Sequence, residues 1–112
     1  MLATETICEN YLFRRLYRSG KSAAAPLVVV YYRRNGTKRN RMGITTSKTV
    51  GNAVRRSRCR RVLREAYRLL EPEMKTGYDL ILVARTRTSQ VKMNAVKDQL
   101  YGIYCREGLR KE

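Results

Sequence analysis

Apolar positions along the chain fall into two rhythms. In Tyr11-Leu12-Phe13-Arg14-Arg15-Leu16-Tyr17-Arg18, the residues Phe13, Leu16 and Tyr17 recur at helical spacing; Asn10 is placed to cap this helix and Gly20 to end it. Lys21 to Pro26 is a connector of small residues. Leu27-Val28-Val29-Val30-Tyr31-Tyr32 is β-branched and aromatic, and predicts a strand. Asn35-Gly36 predicts a hairpin turn into a returning strand over Arg41 to Ser47. A second helix is predicted from Asn52, its cap, to Leu70, with Pro72 just beyond. Its apolar stripe is Val54, Cys59, Val62, Leu63, Ala66 and Leu70. Leu80-Ile81-Leu82-Val83-Ala84 forms the third clear strand, within Asp79 to Arg85. Val91 to Arg106 is a last helix with Val96, Leu100, Ile103 and Tyr104 on its apolar face.

The order α-β-β-α-β-α predicts an α+β fold, with a mixed sheet packed mainly on one side by helices. The strands before and after the second helix are joined by a crossover and are parallel if adjacent. At 112 residues a single domain, 1–112, is expected.

Charge changes this picture. The chain has 25 Lys+Arg, 9 Asp+Glu and no His, for a formal charge of +16. From Asn10 to Arg64 there is no acid, and that stretch holds 16 of the 25 basic residues. The remainder is neutral. Such asymmetry predicts a nucleic-acid face. The lack of His removes the commonest general base and metal ligand. Cys8, Cys59 and Cys105 have no CxxC spacing and read as free thiols of a reducing cytosol. No signal peptide and no membrane-spanning run is present, so a cytoplasmic location without membrane attachment is expected.

The second helix concentrates the charge. Six of the ten residues from Arg55 to Arg64 are arginine: Arg55, Arg56, Arg58, Arg60, Arg61 and Arg64. Arg60, Arg64 and Arg68 repeat at i, i+4, where like charges repel, and the cations of the first turns stand at the positive end of the helix dipole, at a cost of about 0.3–1 kcal/mol each. A phosphate array turns each penalty into an attraction, and the guanidinium fork bonds phosphate bidentately. DNA reading by a helix-turn-helix is disfavoured, because this helix follows a strand.

The run Arg41-Met42-Gly43-Ile44-Thr45-Thr46-Ser47-Lys48-Thr49-Val50-Gly51-Asn52-Ala53-Val54, leading into Arg55-Arg56-Ser57-Arg58-Cys59-Arg60-Arg61-Val62-Leu63-Arg64-Glu65, resembles the signature of the bacterial ribonuclease P protein component. Phe13 to Gly20 is similar to that family's first helix, and Asp79 to Arg85 to its Asp-hydrophobic-Ala-Arg strand. Ser57 stands where the family has Asn, Thr49 where it has a second Lys, and Arg60 where Lys is usual. Cys8 and Glu9 stand where basic residues are common. The resemblance implies a two-layer sandwich like that of a ribosomal protein, with a left-handed crossover around the arginine helix.

It also implies a function: a protein subunit that binds a catalytic RNA and the 5′ leader of precursor tRNA, while the RNA, using Mg²⁺, removes the leader. Lys48, Arg56, Ser57, Arg58, Arg60, Arg61 and Arg64 would then contact the catalytic RNA. Phe13, Tyr17 and Tyr31 match the leader-binding aromatics. Spacing alone favours core packing for these three rings; the resemblance favours stacking for Phe13 and Tyr31 and leaves Tyr17 open. Arg33, Arg34 and Arg41 read as a solvated hairpin edge. The same composition also fits a structural RNA-binding protein of ribosome assembly, separated from the first reading only by the motif run.

Overall fold

The computed structural model describes residues 4–7 and 9–111; the Cys8 thiol therefore lies outside the described residues. A five-stranded sheet comprises β1 (Thr4–Thr6), β2 (Lys21–Ala24), β3 (Val28–Arg34), β4 (Asn40–Thr45) and β5 (Tyr78–Ala84). Their spatial order is β1-β4-β5-β3-β2. Helix α1 is Asn10–Ser19, α2 is Ala53–Leu70 and α3 is Met93–Glu107.

The order follows from β5. Its sequence Tyr-Asp-Leu-Ile-Leu-Val-Ala does not alternate, and every residue is buried except the half-buried Val83. A strand apolar on both faces belongs in the middle of a sheet covered on both sides. Leu80 and Leu82 enter the larger core with Val28, Val30 and Met42 under α2 and α3. Ile81 enters a smaller core with Ile7, Leu12 and Leu16 under α1. Two helices thus cover one face, as expected, and α1 covers part of the other.

Central placement of β5 removes the predicted hairpin. β3 and β4 each pair with β5, antiparallel and parallel respectively, and not with each other. A type I′ turn needs positive φ at both central residues. Gly36 has φ +73°, but Asn35 does not share it. The Asn35 side chain instead accepts from the Thr37 N–H at 2.8 Å and donates to the Arg39 carbonyl at 2.8 Å and to Asp79 at 3.1 Å. The loop is thereby shaped to step over the width of β5.

Other expectations need smaller corrections. Part of the small-residue connector is β2, an edge strand paired antiparallel to β3. Asn10 is the first residue of α1 and not its cap, a position held by Glu9 without a capping side chain. The final helix begins at Met93, because Thr86–Gln90 forms a 3₁₀ turn ahead of it. Val54 is 75% exposed and leaves the apolar stripe, which Tyr67 joins instead. Asn52 does cap α2, accepting from the Arg55 N–H at 3.0 Å.

The β4–α2–β5 crossover is left-handed, and local stereochemistry shows why. The Met42 side chain packs toward α2, while its carbonyl accepts from the Ile7 N–H at 3.0 Å, on the β1 side. In an extended L-residue these directions are linked: seen from the side-chain side with the strand running upward, the carbonyl points right. β1 therefore lies to the right of β4 and β5 to its left. The chain passes over the front through α2 into the left-hand strand, against the general preference.

Buried polar groups tie the crossover down. Asn40 accepts from the Tyr78 N–H at 2.9 Å and donates to the Lys75 carbonyl at 3.1 Å, joining the starts of β4 and β5. Arg41 forks onto Asp79, Nε and Nη2 each at 2.7 Å, so it is an internal clamp and not a solvated edge. The hydrogen-bonded carboxylate holds the Arg41 pKa above its ordinary value. Replacing Arg41 by Met leaves the Asp79 carboxylate without its cation beneath α1, with the Asn35 amide still donating to it. The expected loss is about 2–3 kcal/mol, less than for a fully buried pair because Arg41 is partly solvated. Urea unfolding checks this, and an unchanged midpoint would contradict the clamp.

Candidate nucleic-acid interface

Helix α2 exposes Ser57, Arg58, Arg60, Arg61 and Arg64, with Arg56 half-buried, along the side away from the core. The buried positions Cys59, Val62, Leu63, Ala66, Tyr67 and Leu70 anchor the opposite side. Burial pushes the Cys59 thiol pKa up. Lys48 is exposed in a 3₁₀ turn, Lys48–Val50, that precedes the helix. Gly51 follows it at φ +136°, where a Cβ would lie 2.7 Å from the Arg55 side chain. The basic stripe ends at Arg64, because Arg68 forks onto Glu65 and holds that carboxyl below its ordinary range.

The arginines of α2 are not equivalent. Arg58 Nε donates to the Ser89 carbonyl at 3.0 Å and its Nη2 to the Val91 carbonyl at 3.1 Å. It fastens α2 to the turn before α3 while retaining its charge. Arg60 and Arg64 lie on the other flank and line an open groove of about 210 Å³ with Thr6, Ile7, Phe13 and Ile44. The surface assigned from sequence to the catalytic RNA is therefore continuous, around β4, with the aromatic surface.

The three aromatic residues come together on the face opposite α2. Phe13 is half-buried over Gly43, where a Cβ would sit 2.5 Å from the ring edge. Only glycine lets the ring lie this close to β4. Tyr17 is 44% exposed and meets Tyr31 edge-to-face at 4.8 Å between ring centres. Its hydroxyl lies 3.3 Å from Thr45 Oγ1. Core packing therefore accounts for only part of these rings: Phe13 and Tyr31 rest on the smaller core with one side still open.

Two further cations, outside the residues singled out from the sequence, stand beyond the C-terminal end of β5. Arg85 and Arg87 follow β5, in and beside the turn Thr86–Gln90, which packs against the Lys48 turn. Both are exposed, and Arg85 Nη1 donates to the Ala25 carbonyl at 3.2 Å. Basic residues directly after an apolar strand were the available signal. The site thus joins exposed guanidinium groups of α2, through Arg60 and Arg64, to an aromatic floor, a combination suited to phosphates and unpaired bases.

The Ribonuclease P family model matches residues 1–106. The chain belongs to the ribonuclease P protein family. The ribonuclease P protein component of Natranaerobius thermophilus is 46% identical over 86 residues, covering 77% of this chain and 75% of the relative. That of Clostridium botulinum is 38% identical over 104 residues, covering 92% and 94%. Among solved structures, the ribonuclease P protein of Staphylococcus aureus superposes with a TM-score of 0.83 at 28% identity, covering 95% of this chain and 97% of that one. The Thermotoga maritima protein gives 0.82 at 27% identity, covering 91% and 96%. Among the described residues, no helix is long and apolar enough to cross a membrane.

Within this ribonuclease P fold, the division of labour among the arginines is measurable. Arg58→Ala is expected to lower stability by about 1–2 kcal/mol through lost bonds to Ser89 and Val91. Arg60→Ala and Arg61→Ala should stay within about 0.5 kcal/mol of the parent. Thermal unfolding of the three variants checks this; equal effects would remove the distinction.

Proposed function

We propose that this chain acts as the protein subunit of ribonuclease P, gripping the catalytic RNA with α2 and the single-stranded 5′ leader of precursor tRNA with the aromatic groove. The observation that carries the reading is the continuity of the two surfaces, with Arg60 and Arg64 bordering the groove that reaches Phe13. Lys48, Arg56, Ser57, Arg58, Arg60, Arg61 and Arg64 meet the catalytic RNA. Ser57 supplies a hydroxyl where the family's Asn supplies an amide, a shorter contact with no N–H donor. Phe13, Tyr17 and Tyr31 stack leader bases, each worth about 1–3 kcal/mol with little sequence preference, which suits leaders of varied sequence.

The chemistry belongs to the RNA in this reading. Mg²⁺ supplies the activated water and stabilises the leaving oxygen when bound there. Among the described residues, no group of three His, Cys, Asp or Glu side chains is placed to hold a metal. What the protein contributes is position and charge: phosphates of two RNAs held on one rigid sheet, in the cytoplasm where precursor tRNA is processed.

Cleavage of precursor tRNA by the cognate catalytic RNA, with and without the protein, is the direct test. The protein should raise cleavage efficiency at low Mg²⁺ and cleave nothing alone. Recovery of ribosomal RNA alone on co-purification, with no gain in processing, would favour a ribosome-assembly role instead. If about six phosphates are neutralised, the logarithm of the RNA association constant should fall with log salt at a slope of roughly −4 to −6. A slope near −1 would contradict a broad phosphate interface.

A further inference from the structure

Helix α1 divides its face of the sheet into two grooves. Phe13 and Tyr17 lean to one flank, over Gly43, Thr45 and Tyr31. Arg15 and Leu12 lean to the other, over Arg33, Asn35, Arg41 and Asp79. This second flank opens into a depression of about 430 Å³ lined by Tyr11, Arg14, Arg15, Arg18, Ser19 and Arg33. Ser19 and Arg33 also border an adjoining hollow of about 310 Å³ that adds Lys21, Arg34, Tyr32, Tyr78 and one carboxylate, Glu107. The two form one cationic track along α1 and around the end of β3.

Its charge is unneutralised. Among the described residues, no carboxylate forms an ion pair with Arg14, Arg15, Arg18 or Arg33. Three carboxylates of the neighbouring elements are engaged elsewhere: Asp79 by Arg41, Glu5 by Arg39, and Glu107 by the Tyr32 hydroxyl at 2.6 Å and by Arg106. Burial and that hydrogen bond push the Tyr32 pKa up to about 12, so the hydroxyl remains a donor. No fold requirement explains three arginines on the outer side of a ten-residue helix without an acid, because like charges at i, i+4 oppose the helix. At 100° per residue, Arg14 and Arg18 stand on the crest opposite Leu12 and Leu16, between the two grooves. Tyr11 is 57% exposed beside them, an amphipathic ring among guanidinium groups.

We propose that this second groove holds the far end of the same RNA strand that the aromatic groove holds. The strand crosses the crest at Arg14 and Arg18, lays its phosphates on Arg15 and Arg33, and stacks a base on Tyr11. The inference rests on the leader reading above and extends it to leaders too long for the aromatic groove. A polyphosphate strand fits better than an acidic peptide because planar guanidinium forks and an exposed ring recognise phosphate and base together.

The test uses holoenzyme assembled with the cognate catalytic RNA and precursor tRNAs carrying leaders of about 4 and about 12 nucleotides, within the span of single-strand sites. Wild-type protein should bind the long leader more tightly. The variant Arg14→Gln/Arg15→Gln/Arg18→Gln, which keeps good helix formers at exposed positions, should lose that gain about tenfold and leave short-leader binding unchanged. It should also lower the salt slope for the long leader alone. Equal loss for both leaders, no loss for either, or weakened assembly with the catalytic RNA would overturn the proposal. Tyr31→Ala separates this from the underlying reading: if it weakens neither leader, the leader assignment itself fails. Should the triple variant melt early, Arg18→Gln alone carries the same comparison with a smaller expected loss.

Discussion

The fold depends on the two-sided burial of β5. A strand reading Leu80-Ile81-Leu82 has no face to give to water, so both faces of the sheet centre must be covered. α2 and α3 close one side, α1 closes part of the other, and β3 and β4 are held apart by the width of β5. The left-handed crossover follows from the same placement, because β1 occupies the other side of β4. Asn40 and the Arg41–Asp79 fork lock the starts of the strands in this arrangement.

Charge is then sorted by what burial leaves over. The apolar stripe of α2 consumes Cys59, Val62, Leu63, Ala66, Tyr67 and Leu70, so its arginines have only the outer side. α1 consumes Leu12 and Leu16, which turns Arg14 and Arg18 outward and the Phe13 and Tyr17 rings sideways onto the open part of the sheet. Cations and half-buried aromatics therefore meet around β4. The same geometry separates structural from available guanidinium groups: Arg41 and Arg58 bond protein acceptors, whereas Arg60 and Arg64 face the groove.

Positive charge of this size opposes compaction. The chain tolerates it by spreading the cations over the outer faces of α1 and α2, on opposite sides of the sheet. Glu65, Asp79, Glu5 and Glu107 each neutralise one cation locally, and among the described residues the other cations form no ion pair. A polyanion bound on those faces would relieve the repulsion and strengthen the fold by linkage.

The sequence by itself determined the helices, the three long strands, the Asn52 cap, the parallel pairing across α2 and the acid-free arginine helix, because these depend on local periodicity, capping chemistry and composition. It also carried the motif run by which the family was recognised. It did not separate Arg58 from Arg60, place Val54 outside the stripe, or reveal β2 and β1 as edge strands, since each of these depends on a partner distant along the chain. Asn35-Gly36 carried a hairpin signal that β5 overrode by taking the place between β3 and β4. The division of the α1 face into an aromatic and an arginine groove was decided by tertiary structure alone, because it depends on the angle at which one short helix crosses the sheet.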